Sequence, residues 1–160
     1  MNIFELAKTL ESQTEAYYRK QSEEQYSDGV KGIFSMLADE EAKHLQMVID
    51  LEEELLSEGQ NGFADGSCLT GALHMTSREH VFGGSVVSVY DFAIEMEKAG
   101  VEVYEKLMDE VYDVNRMDLL AFLRNEERRH IELLTNLMDM ARKPEEWVED
   151  PEFSHIGEKY

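Results

Sequence analysis

The chain is poor in cysteine, proline and positive charge, and it has no long apolar run. Cys68 is its one cysteine, so an internal disulfide and a four-cysteine metal knuckle are both excluded. That usage fits a reducing, cytoplasmic setting. Only Pro144 and Pro151 interrupt 160 residues rich in Glu, Leu, Met, Ala and Lys, a composition that leans to helix. Fifteen basic against 35 acidic side chains give a formal charge of −20, which argues against nucleic acid and anionic membrane surfaces as partners. Most of those acids need be no more than a solvated surface. No segment approaches the ~18 apolar residues of a membrane-spanning helix. The opening "MNIFELAKTLESQ" has no basic region followed by an apolar run, so no signal peptide is expected. The length favours one domain with a proper core.

What the chain does have is helical period. Phe4, Ala7, Glu11, Thr14, Tyr18, Gln21 and Gln25 step by threes and fours, as a bundle seam does. "SDG" at 27–29 stops that helix and offers Ser27 or Asp28 as the next N-cap. A second seam runs through Phe34, Leu37, Glu41, His44, Val48, Leu51 and Leu55 towards Gly59, a C′ glycine. Residues 59–85 are rich in Gly, Ser and Thr and read as connection, with a short helical turn near 76–81. A third seam follows Tyr90, Ala93, Glu97, Gly100, Tyr104, Leu107 and Val111. Asn115 is placed to N-cap a fourth, through Leu120, Leu123, Glu127, His130, Leu134, Leu137 and Ala141, which Pro144 closes. The expected organisation is all-α: a four-helix domain over 1–143, with helices at about 3–26, 29–58, 86–112 and 116–142, then a tail over 144–160.

Two of these helices copy the other two. Adding 86 to each number takes 3–55 onto 89–141 without a gap: Glu11 meets Glu97, Tyr18 meets Tyr104, Glu41 meets Glu127, His44 meets His130 and Leu51 meets Leu137. The chain reads as one helical hairpin written twice. The connection at 59–85, at ~3.3 Å per residue, is long enough to run the length of a bundle and let the hairpins pair about a pseudo-two-fold axis.

Each seam carries ionisable residues where apolar ones belong. Counted from the turn at Asp28, Glu11 lies 17 residues before and Glu41 and His44 lie 13 and 16 after. At ~1.5 Å rise per residue all three share one level. The repeat does the same around Val114, so Glu11, Glu41, His44, Glu97, Glu127 and His130 should converge on one layer. Four uncompensated buried carboxylates would each cost several kcal/mol. Two divalent cations balance four carboxylates and two neutral imidazoles, and Glu-x-x-His on a helix sets both donors one turn apart on one side. Such donors suit iron, manganese or zinc; redox chemistry requires iron or manganese.

Other residues invite blander readings. Glu152-Phe-Ser-His155 has the same spacing, but it follows Pro151 outside any seam and has no twin. Glu40 and Glu126 lie off the seam and are either solvated or hydrogen-bonded to the ligand set. Tyr18 and Tyr104, seven residues after a seam glutamate, either fill core space or donate hydrogen bonds to a carboxylate across the bundle. His74, His80 and Cys68 read as exposed loop residues, and Met36, Met47, Met96, Met108, Met138 and Met140 as core filler.

"LESQTEAYY" at 10–18, "DEEAKH", "EMEKAGVEVY" at 95–104 and "NEERRH" together resemble the rubrerythrin-like branch of the ferritin-like di-iron carboxylate proteins. The resemblance covers about 3–57 and 86–142 and implies a ferritin-like four-helix bundle. It implies Glu11 and Glu97 as terminal ligands, Glu41 and Glu127 as bridges, and His44 and His130 each capping one of two irons. It further implies a centre that reduces hydrogen peroxide or reacts with dioxygen, with electrons from a separate donor protein. Rubrerythrin proper carries an extra glutamate three residues after the third-helix ligand. Gly100 stands there in this chain, and Thr14 at its twin, so the site reads as symmetric and closer to bacterioferritin. No four-cysteine rubredoxin motif is present, in keeping with an external donor. The alternative function is non-catalytic iron or zinc binding or storage. A homodimer is the expected assembly.

Overall fold

The computed structural model describes residues 1–25, 27–77 and 86–149, with residues 77, 86 and 144–149 as backbone only. Among these residues five α-helices form: α1 Ile3–Glu24, α2 Asp28–Ser57, α3 Thr70–Ser77, α4 Val86–Met108 and α5 Val114–Glu149. The long elements are an all-α, ferritin-like bundle. α1 packs along α2 and α4 along α5, and the two hairpins meet chiefly along α1 and α4 and more sparsely along α2 and α5.

Local chemistry accounts for the helix ends. Asn2 and Glu5 form a reciprocal capping box at the start of α1, with Asn2 Oδ1 accepting from the Glu5 amide at 2.9 Å and Glu5 Oε2 accepting from the Asn2 amide at 2.8 Å. Ser27 is the N-cap of α2. Gly59 adopts φ +88, and it donates to the Leu56 carbonyl while Gln60 donates to that of Leu55, both at 3.0 Å. These are the two bonds of a Schellman motif, so the expected C′ glycine is in place. The fourth helix starts earlier than Asn115 suggested: Asp113 Oδ1 accepts from the Asn115 and Arg116 amides at 2.9 and 3.2 Å, making Asp113 the cap. α4 correspondingly ends at Met108, not 112, and α1 at Glu24, not 26. Nor does Pro144 close α5, which continues to Glu149. A proline withholds one N–H from the carbonyl four residues back, and the ladder resumes beyond it.

The connection is more ordered than its composition suggested. A 3₁₀ turn at Gly66–Cys68 leads into α3 at Thr70–Ser77, which takes in the start of the turn expected near 76–81; residues 78–81 lie outside the described residues. Ala72 and Met75 are buried and Leu69 and Leu73 pack against the core, a four-residue apolar stripe too short to stand out from its surroundings. The connection is tied down at intervals along α1. Ile3 donates to the Ala64 carbonyl at 2.9 Å, Gly66 to that of Met1 at 3.0 Å, and Gln13 Nε2 to that of Thr76 at 3.0 Å. It therefore runs beside α1 before α4 begins. His74 and Cys68 are exposed, although His74 stands on α3. His80, Glu152, Phe153 and His155 lie outside the described residues, as does the side chain of Trp147.

The core has two dry stretches with a polar layer between. Phe34, Leu37, Tyr90 and Leu134 are buried on one side, and Phe4, Ala7, Val48, Leu51, Leu107, Leu120 and Leu123 on the other. Each buried Leu or Phe contributes roughly 1.5–3 kcal/mol by leaving water. Of the methionines expected in the core, Met96 and Met138 are buried, but Met36 and Met140 are 43% and 64% exposed. A wide helix face places some stripe positions at its rim.

Candidate metal centre

The polar layer consists of Glu11 on α1, Glu41 and His44 on α2, Glu97 on α4, and Glu127 and His130 on α5, each at most 3% exposed. They reach it because each hairpin's tight turn sets its two helices antiparallel with the predicted register. The donors form two overlapping quartets, Glu11–Glu41–His44–Glu127 and Glu41–Glu97–Glu127–His130, with the donor atoms of each within 4.8 Å of one another. Glu41 and Glu127 belong to both.

Within the first quartet, His44 Nδ1 lies 3.0 Å from Glu127 Oε1, 3.6 Å from Glu41 Oε2 and 3.8 Å from Glu11 Oε2. In the second, His130 Nδ1 lies 2.9 Å from Glu41 Oε1 and 3.4 Å from Glu97 Oε2. The imidazoles are nearly parallel, with centroids 5.6 Å apart and planes at 16°. Proximity here is not pairing. Glu11 Oε2, Glu41 Oε1, Glu97 Oε2, Glu127 Oε1 and both Nδ1 atoms are buried without a directed hydrogen bond. Buried polar atoms are nearly always satisfied, and six orphans converging from four helices are what a pair of cations would satisfy. The donor set therefore fits a dimetal site.

The tyrosines tie off the outer oxygens. Tyr18 on α1 donates to Glu97 Oε1 on α4, and Tyr104 on α4 donates to Glu11 Oε1 on α1 at 2.5 Å. Of the two readings of these rings, the hydrogen-bonding one holds, and both rings are also fully buried. Each bond engages Oε1 and leaves Oε2 facing the cluster. Glu40, half-buried on α2, places Oε2 2.9 Å from His130 Nε2 on α5. Its reach to the opposite hairpin was not visible from its spacing to His44 on its own helix. Glu126 instead pairs with Arg129.

Gly100 has a local cause as well. A Cβ there would stand 2.9 Å from Glu127 Oε2 and 3.2 Å from its carboxyl carbon. The Glu127 carboxylate occupies the space a side chain would take, so a fifth glutamate there would displace it.

Without compensating charge the layer titrates unusually. Burial, then the charge of Glu41, pushes Glu11 well above the ordinary carboxylate range, and burial with Glu41, Glu97 and Glu11 does the same to Glu127. Burial also works against ionised Glu41, but His130, His44 and the proton on Glu11 overcome it and hold Glu41 at about 2. Burial likewise opposes a charged His130, and Glu41 and Glu97 beside it prevail, lifting it to about 11. Both phenols are raised, first by burial and then by the carboxylate each bonds, so they stay donors.

A helical bundle with two Glu-x-x-His helices, two single-glutamate helices and a shared carboxylate pair defines the class of dimetal carboxylate proteins. The rubrerythrin family model matches residues 2–138, and the chain belongs to the rubrerythrin family. No curated protein and no solved structure gives a significant match. Among the described residues no helix is long and apolar enough to cross a membrane.

Proposed function

We propose that the chain is a di-iron carboxylate oxidoreductase that reduces hydrogen peroxide or reacts with dioxygen, drawing electrons from a separate donor protein. The observation that supports this best is the pair of donor quartets sharing Glu41 and Glu127. In this reading Glu11 and Glu97 would be terminal ligands, Glu41 and Glu127 would be shared by the two ions, and His44 and His130 would each hold one ion. A bound pair of ferrous ions would supply the two electrons that, with two protons, take peroxide to two waters. The chain's own residues supply the rest. Tyr18 and Tyr104 hold the terminal carboxylates by their outer oxygens, and the apolar layers on either side keep bulk water from the reacting level.

Metal analysis of the native protein tests the site: two ions per chain, lost in Glu41→Ala and in Glu127→Ala, are expected. Anaerobic addition of peroxide to the diferrous form tests the chemistry. A rapid rise in ferric absorbance is expected; a slow or absent change, or zinc retained in preference to iron, favours a storage or structural role. The repeat-equivalent Met36 and Phe122, 43% and 46% exposed on α2 and α5, support a homodimer, and gel filtration distinguishes it from a storage cage.

A further inference from the structure

The inner donors of the two half-sites match one for one under the repeat, but the groups behind them do not. His130 presents Nδ1 to the cluster, and its Nε2 lies 2.9 Å from Glu40 Oε2. That bond crosses from α5 to α2, on the side of the bundle where the two hairpins pack more sparsely than along α1 and α4. The repeat counterparts of Glu40 and His130 are Glu126 and His44. Glu126 does not back His44: its Oε1 is held by Arg129, three residues on along α5. No described residue hydrogen-bonds His44 Nε2. The counterpart of Arg129 is Lys43, which forms no ion pair with Glu40 among the described residues. Glu40 is thus free to cross the bundle while Glu126 is retained on its own helix.

A ligand imidazole whose outer N–H donates to a carboxylate is locked in one tautomer and one ring orientation, and its inner nitrogen becomes more basic. Removing such a partner typically costs 10–100-fold in metal affinity. Only one of the two imidazoles has this support. From this asymmetry we infer that Glu40 is a positioning residue that makes the two metal positions unequal. The one formed by Glu97 and His130 binds more tightly and fills first, and the one formed by Glu11 and His44 fills second. The near-symmetric ligand set conceals two functionally distinct halves. The inference rests on the dimetal reading of the site.

Calorimetric titration of the chelator-stripped full chain with Zn(II), with Co(II) absorption as a second readout, tests it. The wild type should take up two equivalents in two steps separated by about 10–100-fold. Glu40→Ala should weaken the first step by a similar factor and merge the two, while Glu40→Gln, which keeps an acceptor without the charge, should fall between. Arg129→Ala should release Glu126 towards His44 and strengthen the second step. His130→Ala should remove the tight step, and His44→Ala should leave it. Arg129 is exposed and Glu40 half-buried, outside the apolar core, so circular dichroism should show these variants folded. Two equivalents bound in a single step by the wild type, two steps unmoved by Glu40→Ala, or a tight step surviving His130→Ala would overturn the inference and leave the dimetal reading intact. Fewer than two ions bound per chain would overturn both.

Discussion

Tyr104 donates its phenolic proton to Glu11 Oε1 at 2.5 Å, joining α4 to α1 across 93 positions of sequence. Tyr18 returns the same bond from α1 to Glu97 on α4. The pair fastens the two hairpins at the level of the candidate centre and decides which oxygen of Glu11 and of Glu97 faces it.

Loss of either phenol should therefore misdirect a ligand without unfolding the bundle. Tyr104→Phe and Tyr18→Phe keep the buried ring and remove one charge-assisted bond. Each should lower metal affinity by about 10–100-fold while far-ultraviolet circular dichroism is unchanged. Affinity equal to wild type in both variants would show that the phenols only fill space.

Gly100→Ala sets a methyl 2.9 Å from Glu127 Oε2. Either the carboxylate moves or the helices part, and overpacking of this kind costs about 1–3 kcal/mol. Because Glu127 belongs to both quartets, both metal equivalents should weaken together. Stoichiometry and melting temperature, measured with and without metal, check this; an unaltered protein would mean that Glu127 adjusts freely.

Metal loading should release protons and tighten as pH rises. Glu11, Glu127 and His130 all have raised pKa values, and each must give up its proton to become a ligand. Protons should appear when zinc is added near pH 7 in weak buffer containing an indicator dye. No release on binding of two ions would contradict the protonated state assigned to the layer.

The metal-free protein should be most stable in mildly acid solution. Glu11 and Glu127 keep protons in the folded state above 4.5, where the unfolded chain loses them, so stability falls as pH rises from there. His130, lifted from 6.5 to about 11, contributes fully below 6.5 and loses that contribution as pH rises through 11. Glu41, held at about 2, contributes above 4.5 and loses that contribution as pH falls through 2. Glu127→Gln should raise the melting temperature of the chelated protein at pH 8, flatten its decline from pH 5 to 8, and abolish stabilisation by added metal. A chelated variant that melts below wild type at pH 8 would count against a strained carboxylate there.

Several features escaped a reading by spacing, each for a physical reason. Asp113 and Asn115 can both cap a helix by residue type, and only the amide geometry shows that Asp113 does so. Pro144 looked like a terminus because an isolated helix would break there, yet α5 carries on to Glu149. α3 lay hidden because eight residues hold barely two turns of period. Met36 and Met140 sit on stripes but at the rim, where the period does not report depth.

The six-residue layer and the doubling of the hairpin needed no coordinates. Side-chain direction repeats every 3.6 residues and height rises by a constant step, so residue numbers alone put Glu11, Glu41, His44, Glu97, Glu127 and His130 on one level. The orientation of each donor was beyond the reach of numbering. Tyr18 meets Glu97, Tyr104 meets Glu11, and Glu40 meets His130 over separations of 79, 93 and 90 residues. Those pairings exist only once the hairpins pack, because the energy of a buried hydrogen bond depends on atoms that no local stretch of chain brings together.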